Sequence, residues 1–369
     1  MTNTARYYIG IMSGTSMDGI DSALVSFEGE KTTLLATAST AIPAQLRSTL
    51  ISLCQSKQCD IRTLGETDTH LGILFAENCL KLLKNSGFDA KDIIAIGSHG
   101  QTIYHHPNHE YSFTMQIGDP NIIAARTNIT TVADFRRRDM ALGGQGAPLA
   151  PAFHAYLFGR KSIDQYVVNI GGMANITYLP SDKKKSIIGF DTGPGNTLLD
   201  QWHEKHQGKS IDFNGDWARS GTLNTALLTH FMNDAYFKMS PPKSTGREYF
   251  NFSWLDEKLK SFSNTVSPVD IQNTLTELTA QSIASTIQHT HTLWVCGGGA
   301  YNHFLMERLS ALCPDFKVIS TTEAGIDPQW IEAAAFAFLA KQTIEKKPGN
   351  CPSVTGAKTD GILGGIYSA

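Results

Sequence analysis

Short runs of apolar and β-branched residues alternate along this chain with Gly-, Ser- and Asp-containing turns and with longer stretches of helical period. Residues 7–12 form an apolar run, residues 13–21 a polar turn with two glycines, and residues 22–27 a second apolar run. This pattern predicts a β-hairpin with an oversized polar tip. Helical spacing over 61–83 closes at Asn85-Ser86-Gly87, where the glycine suits a left-handed C-cap. Residues 93–97 then read as a buried strand ending in Ser98-His99-Gly100-Gln101-Thr102.

The plan restarts near the middle. Residues 166–170 are apolar, Gly171-Gly172-Met173-Ala174-Asn175 is a turn, and residues 176–179 are a strand again. A third variant runs from 293–296 into Gly297-Gly298-Gly299 and a helical stretch over 302–312. Two such openings half a chain apart predict two related α/β domains, although any α/β protein has several turns of this kind. The last helix is expected to start at Asp327-Pro328, an N-cap followed by proline at the first helical position. It carries Trp330, Glu332 and the Ala-rich run 333–340, and should pack back across a sheet. No low-complexity linker marks the boundary. It is placed at 135/136, with a first domain over 1–135, a second over 136–344, and a C-terminal segment of about 345–369 returning to the first.

Composition narrows the classes. A chain of 369 residues suits two domains at roughly 100–200 residues each. With 34 acidic against 31 basic residues, the formal charge of −3 argues against a nucleic-acid binder or a polybasic membrane-surface protein. Charged residues are 18% of the chain, below the usual value of about 25%, and there are 32 glycines. Few charges and many glycines fit a large core whose turns approach a ligand closely. Six cysteines without any C-x-x-C pair speak against a disulfide scaffold or a zinc module, and for reduced thiols. The first ten residues lack a signal-type apolar run, and the apolar block 333–340 is far short of the roughly 18–20 residues that cross a bilayer. A soluble, cytoplasmic protein with no membrane and no nucleic-acid partner is expected.

Three stretches carry candidate chemistry. The tip Gly14, Thr15, Ser16, Met17, Asp18, Gly19, Ile20 and Asp21 offers small residues, hydroxyls and two carboxylates between apolar strands. Backbone N–H groups in such a turn can cradle phosphate oxygens while a carboxylate orients Mg²⁺ and its waters. Phe190-Asp191-Thr192-Gly193-Pro194-Gly195-Asn196 places a carboxylate beside a second Gly-rich turn, as a base next to a transferring phosphoryl group requires; a plain Asx turn is the alternative. Gly297, Gly298 and Gly299 follow a strand and admit a flat group such as a nucleobase or ribose.

Other signals fail. Gly208-Lys209-Ser210 ends like a P-loop, but His203 stands where that motif needs glycine, and His203 and His206 lie three apart, where a zinc helix needs four. No G-x-G-x-x-G follows a strand. His105, His106 and His109 read as loop surface, whereas His99 sits at a strand end, where ligand sites collect. The run Arg136-Arg137-Arg138, flanked by Asp134 and Asp139, suits capture of an anionic group or a salt-bridge cluster.

Taken in order, these pieces resemble the superfamily of sugar kinases, Hsp70 chaperones and actin. More narrowly, residues 12–21, 98–102, 134–148, 169–172, 191–196, 243–248, 296–300 and the tail 348–352 look like the anhydro-N-acetylmuramic acid kinase family. The resemblance implies two RNase H-like (actin-like ATPase) domains with a nucleotide cleft between them, ATP and Mg²⁺, and a homodimer. It implies phosphorylation of 1,6-anhydro-N-acetylmuramic acid on O6 with hydrolytic ring opening, in the recycling of peptidoglycan. By the same likeness Asp191 is the base. Phosphate and nucleotide contacts fall to Gly14–Asp21, Gly171, Gly172, Gly193, Gly195, Asn196 and Gly297–Gly299, with Asp18 reaching the metal through water. His99, Arg137 and Glu332 are implied to hold the sugar. An ordinary sugar kinase acting on a free hydroxyl, or a non-catalytic ATP switch, remain the rivals; the switch would need a peptide-binding domain for which no residues are left.

Overall fold

The computed structural model describes residues 5–14, 16–56, 58–159, 162–182, 184–288 and 292–369. They divide into two units, residues 1–157 with 330–369, and residues 158–329.

In the first unit the predicted hairpin forms β1 (Arg6–Met12) and β2 (Gly19–Glu28), continued antiparallel by β3 (Lys31–Ala41). β4 (Ile93–Ser98) lies parallel to β1 on its other side. The strands β5 (Gln101–His106) and β6 (Phe113–Ile117) make a separate two-stranded arm, and β7 (Thr131–Ala133) joins β4 in parallel. One face of the sheet packs on the helix Ile61–Ser86 through Ile9, Ile11, Leu24, Leu71 and Phe75, all buried. Asp60 caps that helix by accepting from Thr63 N–H, and Gly87 ends it in the left-handed conformation at φ 76°.

The second unit repeats the plan. β8 (Gln165–Ile170), β9 (Met173–Leu179) and β10 (Ile188–Pro194) run antiparallel, while β11 (Thr292–Cys296) and β12 (Lys317–Ser320) continue in parallel from β8. The strand order β10-β9-β8-β11-β12 reproduces the order β3-β2-β1-β4-β7 of the first unit. Both units are therefore RNase H-like, and β13 (Gly365–Tyr367) only adds an edge strand beside β7. The helix Pro268–Ala284 is buried on nearly every side, between this sheet and an aromatic cluster of Trp202, Phe231, Phe250 and Trp254. Two of its buried polar groups are paired over several contacts: Glu277 takes a two-pronged contact from Arg308, and Asn273 donates to the carbonyls of Ala218 and Gly221.

The observed division at 157/158 and 329/330 differs from boundaries at 135/136 and 344/345. The helix Ile331–Ile344 covers the second face of the first sheet, over β1 and β4, and so belongs with that sheet. It also starts later than Asp327-Pro328 suggests. Pro328–Trp330 form a 3₁₀ turn, within which the Asp327 carboxylate accepts from Gln329 N–H at 3.1 Å. No helix among the described residues is long and apolar enough to cross a membrane.

Candidate functional site

At the tip of β1–β2, Ser13 is buried and donates to Gln101 Oε1 at 2.7 Å; the Gln101 amide returns to the Gly14 carbonyl at 3.3 Å. This ties the turn to the start of β5. Met17 holds φ 53° and donates its N–H to Gly14, while Ser16 donates to the exposed Asp18 carboxylate at 2.7 Å. Gly14 and Ser16 N–H groups have no backbone acceptor among the described residues. Thr15 lies outside them. Gly19, Ile20 and Asp21 belong to β2, with Ile20 in the core and Asp21 paired between Met12 and Ser39, so the open part of the tip is narrower than the motif.

His99 follows β4. Its N–H donates to the Ile11 carbonyl, its Nδ1 faces the Ser13 carbonyl at 3.3 Å, and its Nε2 accepts from Arg136 at 2.9–3.1 Å. Burial, reinforced by the Arg136 charge, holds its pKa down to about 3. The ring is thus neutral, with the proton on Nδ1. A cavity of about 220 Å³ opens beside it, lined by His99, Asp134, Arg137 and Tyr367 among others. Arg137 grips Asp134 through Nε at 2.7 Å and Nη2 at 2.5 Å. It is Arg136, rather than Arg137, that reaches inward to His99 and donates to the Gly146 carbonyl. Burial pulls its guanidinium down to about 10, opposed by Glu332 and Asp139. Glu332 stays in reach of water yet is crowded by protein, which raises its carboxyl; Arg136 opposes that and Asp21 adds to it. Glu332 is therefore grouped with Arg136 and Asp21, while His99 and Arg137 share the cavity. Buried Asp139 accepts from Gly146 N–H, Asn350 and Thr355, and so pins this loop to the C-terminal tail.

A neutral buried His99 has a consequence for stability. The unfolded chain binds a proton on this residue below about pH 6.5, whereas the folded chain refuses it until about pH 3. Stability is therefore lost as pH falls through that window. His99→Gln can make both hydrogen bonds without titrating. Its urea midpoint should fall less steeply than the wild type's between pH 6.5 and 4; equal slopes would refute the assignment.

In the second unit three Gly-rich turns interlock. Gly195 and Thr197 donate to the Gly172 carbonyl, and Asn196 donates to that of Gly171 at 2.8 Å. A Cβ on Gly195 would land on the Gly171 oxygen, and one on Gly299 on the Ile170 side chain. These glycines serve close packing of the turns, and the N–H groups of Gly195 and Asn196 are used internally. Thr279, on the buried helix, donates to the carbonyls of Pro194 and Gly195. The Gly172 N–H has no backbone acceptor among the described residues, and the Arg247 guanidinium lies over this turn, 3.3 Å from where a Gly172 Cβ would sit.

Asp191 is within β10, one residue before a register shift, where the motif reads as a turn. Its own backbone is clamped, with N–H to the Lys243 carbonyl at 3.0 Å and C=O from the Tyr236 hydroxyl at 2.7 Å. Oδ2 accepts from Ser244 at 3.0 Å and from Thr245 N–H at 2.9 Å, whereas Oδ1 has no hydrogen-bond partner among the described residues. Burial raises its pKa, two hydrogen bonds oppose this, and Glu248 adds to the rise. Beside Gly298 a cavity of about 460 Å³ is lined by Asp200, Ile211, Phe213, Tyr301 and Asn302. Ile211 and Phe213 are 57% and 71% exposed, so two large apolar side chains stand open along this wall. Sequence reasoning missed this wall. The one available signal was two large apolar residues in an otherwise polar, Gly-bounded loop.

Twin RNase H-like halves with Gly-rich turns at matching hairpins define the two-domain α/β class to which sugar kinases belong. A family model described as anhydro-N-acetylmuramic acid kinase matches residues 6–369. The protein of that name from Coxiella burnetii (strain Dugway 5J108-111) is 55% identical over 364 residues, covering 98% of this chain and 97% of its own. Its namesake from Shewanella halifaxensis (strain HAW-EB4) is 50% identical over 366 residues, covering 98% and 99%. Among solved structures, component A of the (R)-2-hydroxyglutaryl-CoA dehydratase of Acidaminococcus fermentans covers 90% of this chain and 98% of its own, at 11% identity and a TM-score of 0.47. The chain belongs to the anhydro-N-acetylmuramic acid kinase family, and is a phosphotransferase.

Proposed function

We propose that this chain opens 1,6-anhydro-N-acetylmuramic acid with water and phosphorylates the freed O6 with ATP, giving N-acetylmuramic acid 6-phosphate and ADP in the cytoplasmic recycling of peptidoglycan. In the anhydro sugar O6 is tied in an ether to C1, so no hydroxyl is ready to attack. Asp191 takes a proton from water, the water oxygen bonds to C1, the C1–O6 bond breaks, and O6 bonds to the γ-phosphorus as ADP leaves. The observation that carries this reading is the asymmetry of Asp191: Oδ2 is anchored by Ser244 and Thr245, and Oδ1 is left without a partner among the described residues. An anchored carboxylate with one free oxygen has the form of a general base.

Arg247, over the Gly172 turn, suits the phosphate charge that builds up during transfer, and the cavity walled by Ile211, Phe213 and Tyr301 suits the adenosine. In the first unit the Gly14 and Ser16 N–H groups suit phosphate oxygens, and the cavity at His99 and Arg137 suits the sugar and its lactyl carboxylate. Glu332 and Arg136, adjacent to that set, suit its hydroxyl or N-acetyl groups. The donor set fits Mg²⁺ bound mainly by water and phosphate: Asp18 is a single exposed carboxylate, and no cluster of three His, Cys, Asp or Glu ligands occurs among the described residues. Bound there, the ion would neutralise charge on the transferring phosphoryl group.

The test is ADP release with Mg-ATP and the anhydro sugar, with product mass measured alongside. The expected product has gained one water and one phosphoryl group. ADP release with the sugar unchanged would overturn the coupled reaction.

A further inference from the structure

A cavity of about 640 Å³ lies in the second unit, apart from the groups assigned above. It is a cleft open to solvent on one side, and its volume is within the range of small-molecule sites, roughly 300–1,000 Å³. One wall is the sheet face carrying Tyr166, Tyr178 and Phe190; Tyr166 and Tyr178 are register partners with ring centroids 5.0 Å apart. The opposite wall is the end of the helix Pro268–Ala284, with Ser285 just past it, and the segment that includes Phe237 and Lys243.

Lys243 is the unexplained group. It is 8% exposed, and among the described residues its ammonium makes one hydrogen bond, to the Tyr236 carbonyl at 3.2 Å, while standing 4.7 Å over the Tyr236 ring. No ion pair to a carboxylate is formed by it among the described residues. An ammonium has three donors, and a buried one without a counter-charge is costly. Burial accordingly lowers its pKa. Lys185 adds a second cation to the lining. The carboxylate there, Asp164, already accepts from the Tyr178 hydroxyl at 2.5 Å and from Ser181.

The same segment holds Asp191. The Lys243 carbonyl accepts its N–H, the Tyr236 hydroxyl donates to its carbonyl, and the Phe237 ring lies 2.8 Å from where a Gly193 Cβ would project. We propose that this cavity is a second ligand site for an organic anion with an apolar body, its charge met by Lys243, and that occupancy alters turnover through the Tyr236–Lys243 segment. The coupling half rests on the role proposed for Asp191; the binding half does not.

The probe is 8-anilinonaphthalene-1-sulfonate, an aromatic anion that fluoresces when desolvated, titrated into the folded full chain. One saturable site is expected, unmoved by saturating ATP. Lys243→Met, which keeps the stem and removes the charge, and Ser285→Phe, which fills the mouth, should each weaken it by about tenfold, the scale of one charge-assisted hydrogen bond. Ser285→Phe carries the test alone if Lys243→Met fails to fold. Unchanged affinity in the folded variants, or displacement by ATP, overturns the site. With Mg-ATP and sugar, the ADP-release rate should change at least about twofold along the binding curve, and this response should vanish in Ser285→Phe. Saturation without a rate change overturns the coupling. A chain with no phosphotransfer activity fails the proposed function instead, and the titration still decides the site.

Discussion

Asp191→Asn is expected to lower kcat by roughly 10²–10⁴-fold, the usual contribution of a positioned base, with ATP affinity within about twofold of wild type. The substitution is nearly neutral for the fold. An asparagine carbonyl oxygen at the Oδ2 position still accepts from Ser244 and Thr245 N–H, and its NH₂ falls where Oδ1 meets no acceptor or donor among the described residues. What is lost is the ability to take a proton. Because burial raises the Asp191 pKa, the acid limb of the wild-type kcat profile should lie above the ordinary carboxylate range, near pH 4, and should be absent from the residual activity of the variant. Single-turnover ADP release and nucleotide titration measure the two quantities. Full activity in Asp191→Asn would remove it as the base, and lost ATP binding would make it a structural clamp.

Gly10→Ala is expected to cost roughly 3 kcal/mol or more of stability, or to leave the chain insoluble, at or beyond the upper end of overpacking penalties. Gly10 of β1 and Gly97 of β4 are register partners in the parallel pair, so two glycines lie side by side on one sheet face. The helix Ile331–Ile344 rests its backbone on that window. A Cβ on Gly10 would fall on the Ala333 carbonyl oxygen, and one on Gly97 on that of Phe336. Backbone at both points cannot swing aside as a side-chain tip would, so the helix must lift. Lifting it exposes the fully buried Ala334, Ala337 and Ala340. Urea unfolding of Gly10→Ala and Gly97→Ala checks this. A loss below about 1 kcal/mol in both, with solubility kept, would show that the helix can shift without penalty.

Local signals made the strands, the long helix and the repeated opening legible. β1, β2, β4, β8 and β11 are runs of β-formers bounded by turns, and the Ile61–Ser86 helix announces its end with Gly87. Asp191 was legible as a chemical candidate from its Gly-rich surroundings, but its place in β10, ahead of the turn, was not. Strand pairing with β9, a nonlocal contact, carries the extended conformation through a Gly- and Pro-containing stretch. Arg136 and Arg137 are indistinguishable as sequence, since adjacent residues on a helix differ only in which way they face. The Phe135–Ala141 helix turns Arg136 to His99 and leaves Arg137 with Asp134.

The sequence by itself determined the element types, the doubling of the opening motif and the inventory of carboxylates, cations and glycine turns, because these depend on periodicity and on each residue's own conformational limits. Tertiary structure alone decided that the Ile331–Ile344 helix belongs to the first sheet, that the Gly195 and Asn196 N–H groups are spent on the Gly171–Gly172 turn, and that Lys243 is buried with no counter-charge among the described residues. Each of these depends on which distant groups meet, and the free energy of such a contact is set by the partner and its burial rather than by anything local to the residue.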